Sequence, residues 1–569
     1  MPIIDNFRFL INSRFVPLGR IASKYYIFAV FALFVIIRLI SINDVFLWLD
    51  EVDFLGNTYV ETVLYNKPLN PPWPILTNPD NTLIGTLGTS VSMGFNASTT
   101  PWLPILIDHL IILFWGHHLL LLRLHSLIVS IISFFVLYQI VKKLFSCGDI
   151  QLLIMLLYTF SIPLIFYSQS PEPVGYYFLT TAIQILYFLK MIGGQRNNQS
   201  RGEIVRSIQI FSRISFILFL FNYMSLLIHV ICIGYYVVYI AISNKNNMPL
   251  RGYIFYVIEA IIDSVPLGIL ALIRLLVGDQ RVVFEVDNIT DFFRLSYQFL
   301  TYNFNVAYTT DVYTPKGLNP VTWPFIVLSL IGAGYFFISR KNQRWSLLYS
   351  VGVVIACVFL EIMPFGGVRH TLSVVPFLFL FAGYGLLCVY RIFRRLHVPQ
   401  WIYSLFIGIL AGLIIVIFLF SGSNIYRVRK STLDLDRIIS FARVNNVTSI
   451  AGYKETSIIL GLLNHASGGK LEESGISFQE YSPDLNEGGE GKYLLVAYRH
   501  KFDPEFEKYV PWRASFPEED FAKTKVTPLE EIVGPLKPVP DVMVHQSIYY
   551  PVNGSFVYLI EPAMSESGK

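Results

Sequence analysis

Runs of about 20 apolar residues recur along most of the chain, each ending in a short polar or charged stretch, which is the period of bilayer-spanning helices. The first is YYIFAVFALFVIIRLISI (25–42). Further runs fall at 119–141, 150–166, 174–191, two within 208–243 about a tight turn near Asn222, 252–276, 320–338, 347–363, 371–390 and 401–420. Arg8, Arg14, Arg20 and Lys24 precede the first run, so the positive-inside rule expects a cytoplasmic N-terminus, residues 1–24. With that start, Lys142–Lys143, Arg196–Arg206, Lys245, RKNQR and RIFRR all fall on the cytoplasmic side, which supports about eleven spans. The first run lacks a small-residue cleavage site, so no removable signal peptide is expected.

Two stretches break the pattern. Polar sequence rich in Pro, Gly and Asn fills a long first outer loop, 43–118, and PWLPILIDHLIILFWG (101–116) within it is apolar but short. It reads as a helix lying at the outer interface, with Trp102 and Trp115 at headgroup depth. Beyond residue 426 the composition turns soluble and helix-like and strand-like pieces alternate, predicting an outer α/β domain over 427–569. The fold class is a multi-span α-helical membrane protein, 25–426, carrying a C-terminal soluble α/β domain.

Composition agrees: 54% of residues are hydrophobic and 14% charged, against about 25% charged in soluble domains. A net charge of +4 gives no sign of nucleic acid as a partner. Of the four cysteines, Cys232, Cys357 and Cys388 lie in apolar runs and Cys147 beside a basic loop, so neither a disulfide nor a cysteine metal site is expected. No phosphate-cradling glycine motif and no internal repeat is found, which weakens an energised or inverted-repeat transporter.

Three clusters could carry chemistry. VFLWLDEVDF (45–54) sets Asp50, Glu51 and Asp53 directly after the first run. These acids either face water, with Asp50 capping a short helix, or supply a general base whose pKa is raised by apolar walls. In YSQSPEP (167–173), prolines hold Glu172 in a turn beside Tyr167 and Gln169. In PFGGVRH (364–370), Arg369 either snorkels or grips a lipid phosphate in bidentate fashion, with His370 next to it. Inside the runs, Glu259 and Asp263 share one face of 252–276, as a proton or ion path or as partners of a basic group on a neighbouring span. The histidines at 117, 118 and 125 fit no metal or catalytic pattern and read as interfacial.

Taken in order, WLDE (48–51), TPWLPILIDHLIILFWG (100–116), RLHSLIVSIISFFVLYQIVKKLF (123–145), IFYSQSPEPVGY (165–176) and GGVRHTLSVVPFLFL (366–380) resemble the GT-C glycosyltransferases. The likeness is to the family 39-like enzymes, which include protein mannosyltransferases and the lipid A aminoarabinose transferase. The resemblance implies a GT-C fold, a polyprenyl-phosphate-linked sugar as donor, an extracytoplasmic active site in the plasma (inner) membrane, and a lipid, glycan or protein acceptor. It implies Asp50 as catalytic base, Glu51 and Glu172 as accompanying acids, and Arg369 with His370 at the donor phosphate. Trp48, Tyr167 and Gln169 would line the substrate pocket. Where the family often has SQEARPY, this chain has Ser170 at the usual Glu and Glu172 at the usual Arg, and His370 replaces a common Tyr. No cofactor is demanded; a divalent metal on Asp50 and Glu172 is compatible with the acids but not required by their spacing. A transporter or flippase of lipid-linked saccharide, using Glu259 and Asp263, is the competing expectation, and a non-catalytic scaffold the third.

Overall fold

A computed structural model of the chain describes residues 17–40, 42, 101–115, 119–170, 174–195, 201–243, 250–277, 322–339, 372–429, 435–452, 470–481, 492–498, 524–528 and 555–562. The helices are α1 (Pro17–Leu39), α2 (Trp102–Trp115), α3 (Leu119–Leu144), α4 (Gly148–Phe160), α5 (Ile162–Ser168), α6 (Val174–Gln195) and α7 (Arg201–Phe219). They continue as α8 (Met224–Ser243), α9 (Leu250–Val277), α10 (Trp323–Ser339), α11 (Val375–Arg395) and α12 (Gln400–Arg429). Four of them, α3, α9, α11 and α12, contain stretches long and apolar enough to cross a bilayer, and α4 with α5 forms a fifth, bent candidate. Their outward faces are apolar too: Ile128, Ile132 and Phe135 on α3, and Ile261, Ile262, Val265, Ile269 and Leu272 on α9, are exposed. A helix that is apolar all round has a lipid surround, so the chain is a multi-span membrane protein.

The expected turn near Asn222 is present between α7 and α8. The Asn222 side-chain oxygen accepts from the Met224 N–H at 3.0 Å, an Asx arrangement that closes the turn. The run expected as one span over 150–166 is instead broken, α4 and α5 meeting at 56°. Ser161 is extended (φ −63°, ψ 113°) and Pro163 opens α5, because the proline ring cannot continue the preceding helix. The break leaves α4 carbonyls without intrahelical donors, and Arg38 supplies them. Its guanidinium donates to Thr159 O at 3.0 Å and Tyr158 O at 3.1 Å while lying 3.8 Å over the Phe34 ring. A cation at a helix C-terminus also meets the negative end of the helix dipole. Around this point Phe34, Phe134 and Tyr158 interlock, with ring centroids 4.9 to 6.1 Å apart.

α10 and α11 cross almost backbone to backbone. A Cβ on Gly332 would lie 2.7 Å from Gly385 N and closer to Phe381 O; one on Gly385 would lie 2.7 Å from the Leu328 carbonyl carbon and closer to its oxygen. Small residues at both positions let the helices approach, the usual basis of helix association in lipid. Ser329 Oγ, on the same face, donates to Leu378 O at 3.3 Å.

The C-terminal part holds α13 (Leu435–Val444), β1 (Ser449–Gly452), α14 (Lys470–Glu473), β2 (Ser477–Glu480), β3 (Tyr493–Tyr498), β4 (Thr524–Pro528) and β5 (Ser555–Pro562). The sheet order is β2-β1-β3-β5-β4. β1 pairs in parallel with β2 and β3, and β5 runs antiparallel to β3 and β4. Parallel neighbours need a crossover, which is why helix and strand alternate here. Ile438, Ile439 and Ala442 form the buried face of α13, and Ile450, Leu494 and Leu495 are buried in the strands. Asp436 and Lys470 pair on the exposed side at 2.8 Å.

Candidate functional site

The hydrogen bonds that cross between helices gather the ends of many segments at one end of the bundle. Gln169 Nε2, just past α5, donates to the carbonyls of Arg38 at 2.8 Å and Ile40 at 3.2 Å. Arg123, fully buried in the first turns of α3, donates to Ile42 O at 2.7 Å. The α2 start is tied to the α7–α8 turn, Leu103 N–H donating to Leu220 O at 3.3 Å. In the same turn Asn222 Nδ2 donates to Thr180 Oγ1 of α6 at 2.9 Å and to Ser373 Oγ, just before α11, at 3.3 Å. Residues 42, 103, 169, 180, 222 and 373 therefore share one end.

Asp50, Glu51, Trp48, Glu172, Arg369 and His370 lie outside the described residues, as does the first loop from 43 to 100. The described residues nearest them in sequence are Ile42 before the WLDE segment, Ser170 and Val174 on either side of Glu172, and Leu372 after His370. Tyr167 and Gln169 are described. Both are buried, Tyr167 with its ring edge-on to Phe166 and Gln169 with its amide on the α1 carbonyls. Gln169 thus holds the end of α1 through Arg38 and Ile40, the latter ten residues before Asp50 in sequence.

A second polar group sits at the same end and was not legible as a site. Asp108 of α2 is 1% exposed, and its Oδ1 lies 2.8 Å from His125 Nδ1 on α3. His125 Nε2 in turn meets the Tyr176 hydroxyl in the first turn of α6. Burial pushes the Asp108 carboxyl up to about 6, against the downward pull of the His125 bond. Asp108 Oδ2 is buried without a hydrogen-bond partner among the described residues. The histidine read as interfacial is instead the middle of a buried chain. Its partners are 17 and 51 residues away in sequence, so no local spacing announces it.

Away from this end, Asp263 on α9 feels the charges of Glu259 on its own helix and of Arg213 on α7. Arg213, Arg206, Gln209 and Phe255 line an open groove of about 640 Å³ between those helices. Asp263 thus has a basic group on a neighbouring helix, the alternative expected for this face beside a proton or ion path. Among the described residues no group of three or more His, Cys, Asp or Glu side chains could hold a metal ion; the acids at 50 and 172 lie outside them.

The helices and the sheet together define a polytopic membrane protein with an α/β part after its last described long helix. Solved structures with a similar course exist. The crystal structure of ArnT from Cupriavidus metallidurans bound to undecaprenyl phosphate is similar at 11% identity and a TM-score of 0.43, covering 94% of this chain and 98% of that one. The apo structure of the same protein is similar at 11% identity and a TM-score of 0.47, covering 95% of this chain and 98% of that one. No family model and no curated protein matches the chain.

Proposed function

We propose that the chain is an integral-membrane glycosyltransferase that moves a sugar from a polyprenyl-phosphate donor to an acceptor hydroxyl outside the membrane. One observation carries the reading. Described residues close in sequence to three separate chemistry-bearing segments, Ile42, Gln169 and Ser373, are hydrogen-bonded into one end of the bundle. Segments far apart in sequence whose roots converge are what a composite active site needs.

In this reading Asp50 removes the proton from the acceptor hydroxyl as the oxygen attacks the anomeric carbon. The glycosidic bond to phosphate breaks on the opposite face, and the configuration inverts. The leaving group is already a phosphate, so it needs cationic stabilisation more than a general acid, and Arg369 with His370 supplies it. Glu51 and Glu172 accompany the base in this reading, and Trp48 is assigned to the substrate pocket. The buried amide of Gln169 supports the same site by pinning the α1 exit. A divalent cation on Asp50 and Glu172 would assist the leaving phosphate if present. The orientation follows the charge bias of the loops, with the N-terminus in the cytoplasm and the α/β domain outside.

The test is transfer from a panel of radiolabelled polyprenyl-phosphate sugars by purified full-length protein, with Asp50→Asn alongside. Loss of a catalytic base costs about 10²–10⁴-fold in rate, so the variant should be at background while wild type consumes one donor. Equal rates for wild type and Asp50→Asn would refute the base assignment. Movement of lipid-linked saccharide without any transfer, abolished by Asp263→Asn, would establish the transporter instead.

A further inference from the structure

Asp108, His125 and Tyr176 take no part in the chemistry above, yet they join three segments across the proposed site's end of the bundle. Their order of protons follows from the chemistry of the groups. A carboxylate opposite Nδ1 accepts, so Nδ1 carries the hydrogen, and Nε2 and the tyrosine hydroxyl share the second bond. The tyrosine ring is held as well, stacked on Phe221 at 4.9 Å and nested against Val129 and Leu179, with Ile107 of α2 packed alongside. An apolar trio of similar volume would pack here at less cost, since a buried carboxyl with one oxygen unpartnered is expensive. What apolar packing lacks is direction: hydrogen bonds fix the rotation and height of α2 against α3 and of α3 against α6.

We propose that Asp108, His125 and Tyr176 form a positioning relay that fixes the α2 helix and the first turn of α6 in one relative placement. α2 belongs to the long outer stretch 43–118 that begins with the WLDE segment, and Tyr176 follows Glu172 by four positions in sequence, so the relay adjoins in sequence the stretches to which the transferase reading gives its acids. The inference rests on the transferase reading for its kinetic consequence and on geometry alone for its structural one.

The experiment uses full-length protein in lipid nanodiscs and the variant Tyr176→Phe, which removes the hydroxyl and keeps the stacked ring. Hydrogen–deuterium exchange is followed in peptides covering 101–115 and 165–178, with 148–160 as an internal control. Losing one hydrogen bond of ordinary strength shifts a local opening equilibrium about tenfold. Exchange should therefore rise about tenfold in both outer peptides and stay constant in the control. Transfer kinetics on the donor found above should show kcat falling about tenfold with the donor KM within about twofold, because the donor contacts are untouched. If Tyr176→Phe does not fold, His125→Gln is read in the same way. Exchange unchanged in both peptides overturns the relay whatever the kinetics, and so does a kcat equal to wild type. If wild type transfers nothing, the transferase reading falls and the exchange result alone decides the relay.

Discussion

Replacing Gly385 by alanine sets two calculable effects against each other. Alanine in a helix interior is favoured over glycine by about 1 kcal/mol, so a helix considered alone would gain. In the α10–α11 crossing, however, the new Cβ would lie 2.7 Å from the Leu328 carbonyl carbon and 3.0 Å from its Cα, and both atoms belong to backbone. No side-chain rotation relieves that contact, so the helices must part by about 1 Å to restore ordinary van der Waals distance. A gap of that size forfeits a quarter to a half of each facing contact, and a buried Leu-sized side chain makes 40–60 contacts worth about 0.1–0.2 kcal/mol each. For one such side chain the loss is about 2–4 kcal/mol, and Phe325, Leu328 and Leu378 are all buried there. The packing term wins by about 2 kcal/mol or more. Gly334 on the same helix as Gly332 is the control, since nothing lies within 4 Å of where its Cβ would be. Thermal unfolding of the purified protein in detergent, followed by loss of the monodisperse elution peak, should place Gly385→Ala several degrees below wild type. Gly334→Ala should match or exceed wild type. A Gly385→Ala protein as stable as Gly334→Ala would refute the close crossing. In the proposed transferase reading the crossing also bears on function, because α11 begins five residues after His370 in sequence.

Further outcomes follow from the buried polar contacts. Arg38→Met should destabilise by about 2–4 kcal/mol in the same unfolding assay, since two charged-donor hydrogen bonds and a ring contact disappear while removal of a buried charge returns part of the cost. Gln169→Glu turns the two-carbonyl donor into an acceptor; about 2–4 kcal/mol of stability should go, and transfer should fall more steeply than for Gln169→Met, with rates compared at saturating donor. For Asp108 the sign is set by burial: its folded pKa of about 6 lies above the ordinary carboxylate value, so the group's contribution is complete below about pH 4 and is lost as pH rises through about 6. Wild type should therefore lose stability relative to Asp108→Asn between pH 4 and 7, by about 2–3 kcal/mol, read from unfolding midpoints across that range; a constant difference would contradict the burial.

The sequence shows what is local and hides what is brought together. Apolar run lengths place α3, α9, α11 and α12 correctly because a bilayer demands a continuous stretch and composition alone supplies it. The turn at Asn222 is legible because its Asx contact spans two residues. The break at Ser161 was within reach, since Pro163 removes a helical donor, but a single hydropathy window averages across it. Arg38 shows the limit. Near the end of an apolar run an arginine ordinarily snorkels to the headgroups, and nothing in its neighbours says that another helix 120 residues on will leave carbonyls for it to cap. His125 fails for the same reason: its meaning is set by Asp108 and Tyr176, each on a different helix. Gly332 and Gly385 carry a small-residue signal, but a lone glycine in a span is equally a kink or a gap until its partner helix is known. Residues that satisfy their own helix are readable one at a time, whereas a polar residue that serves another helix is understood only once the two lie side by side. In a bilayer that second kind collects where loops enter the bundle, because there alone polar groups find both water and backbone left over from helix ends. The roots of the loops are therefore where a single sequence says least.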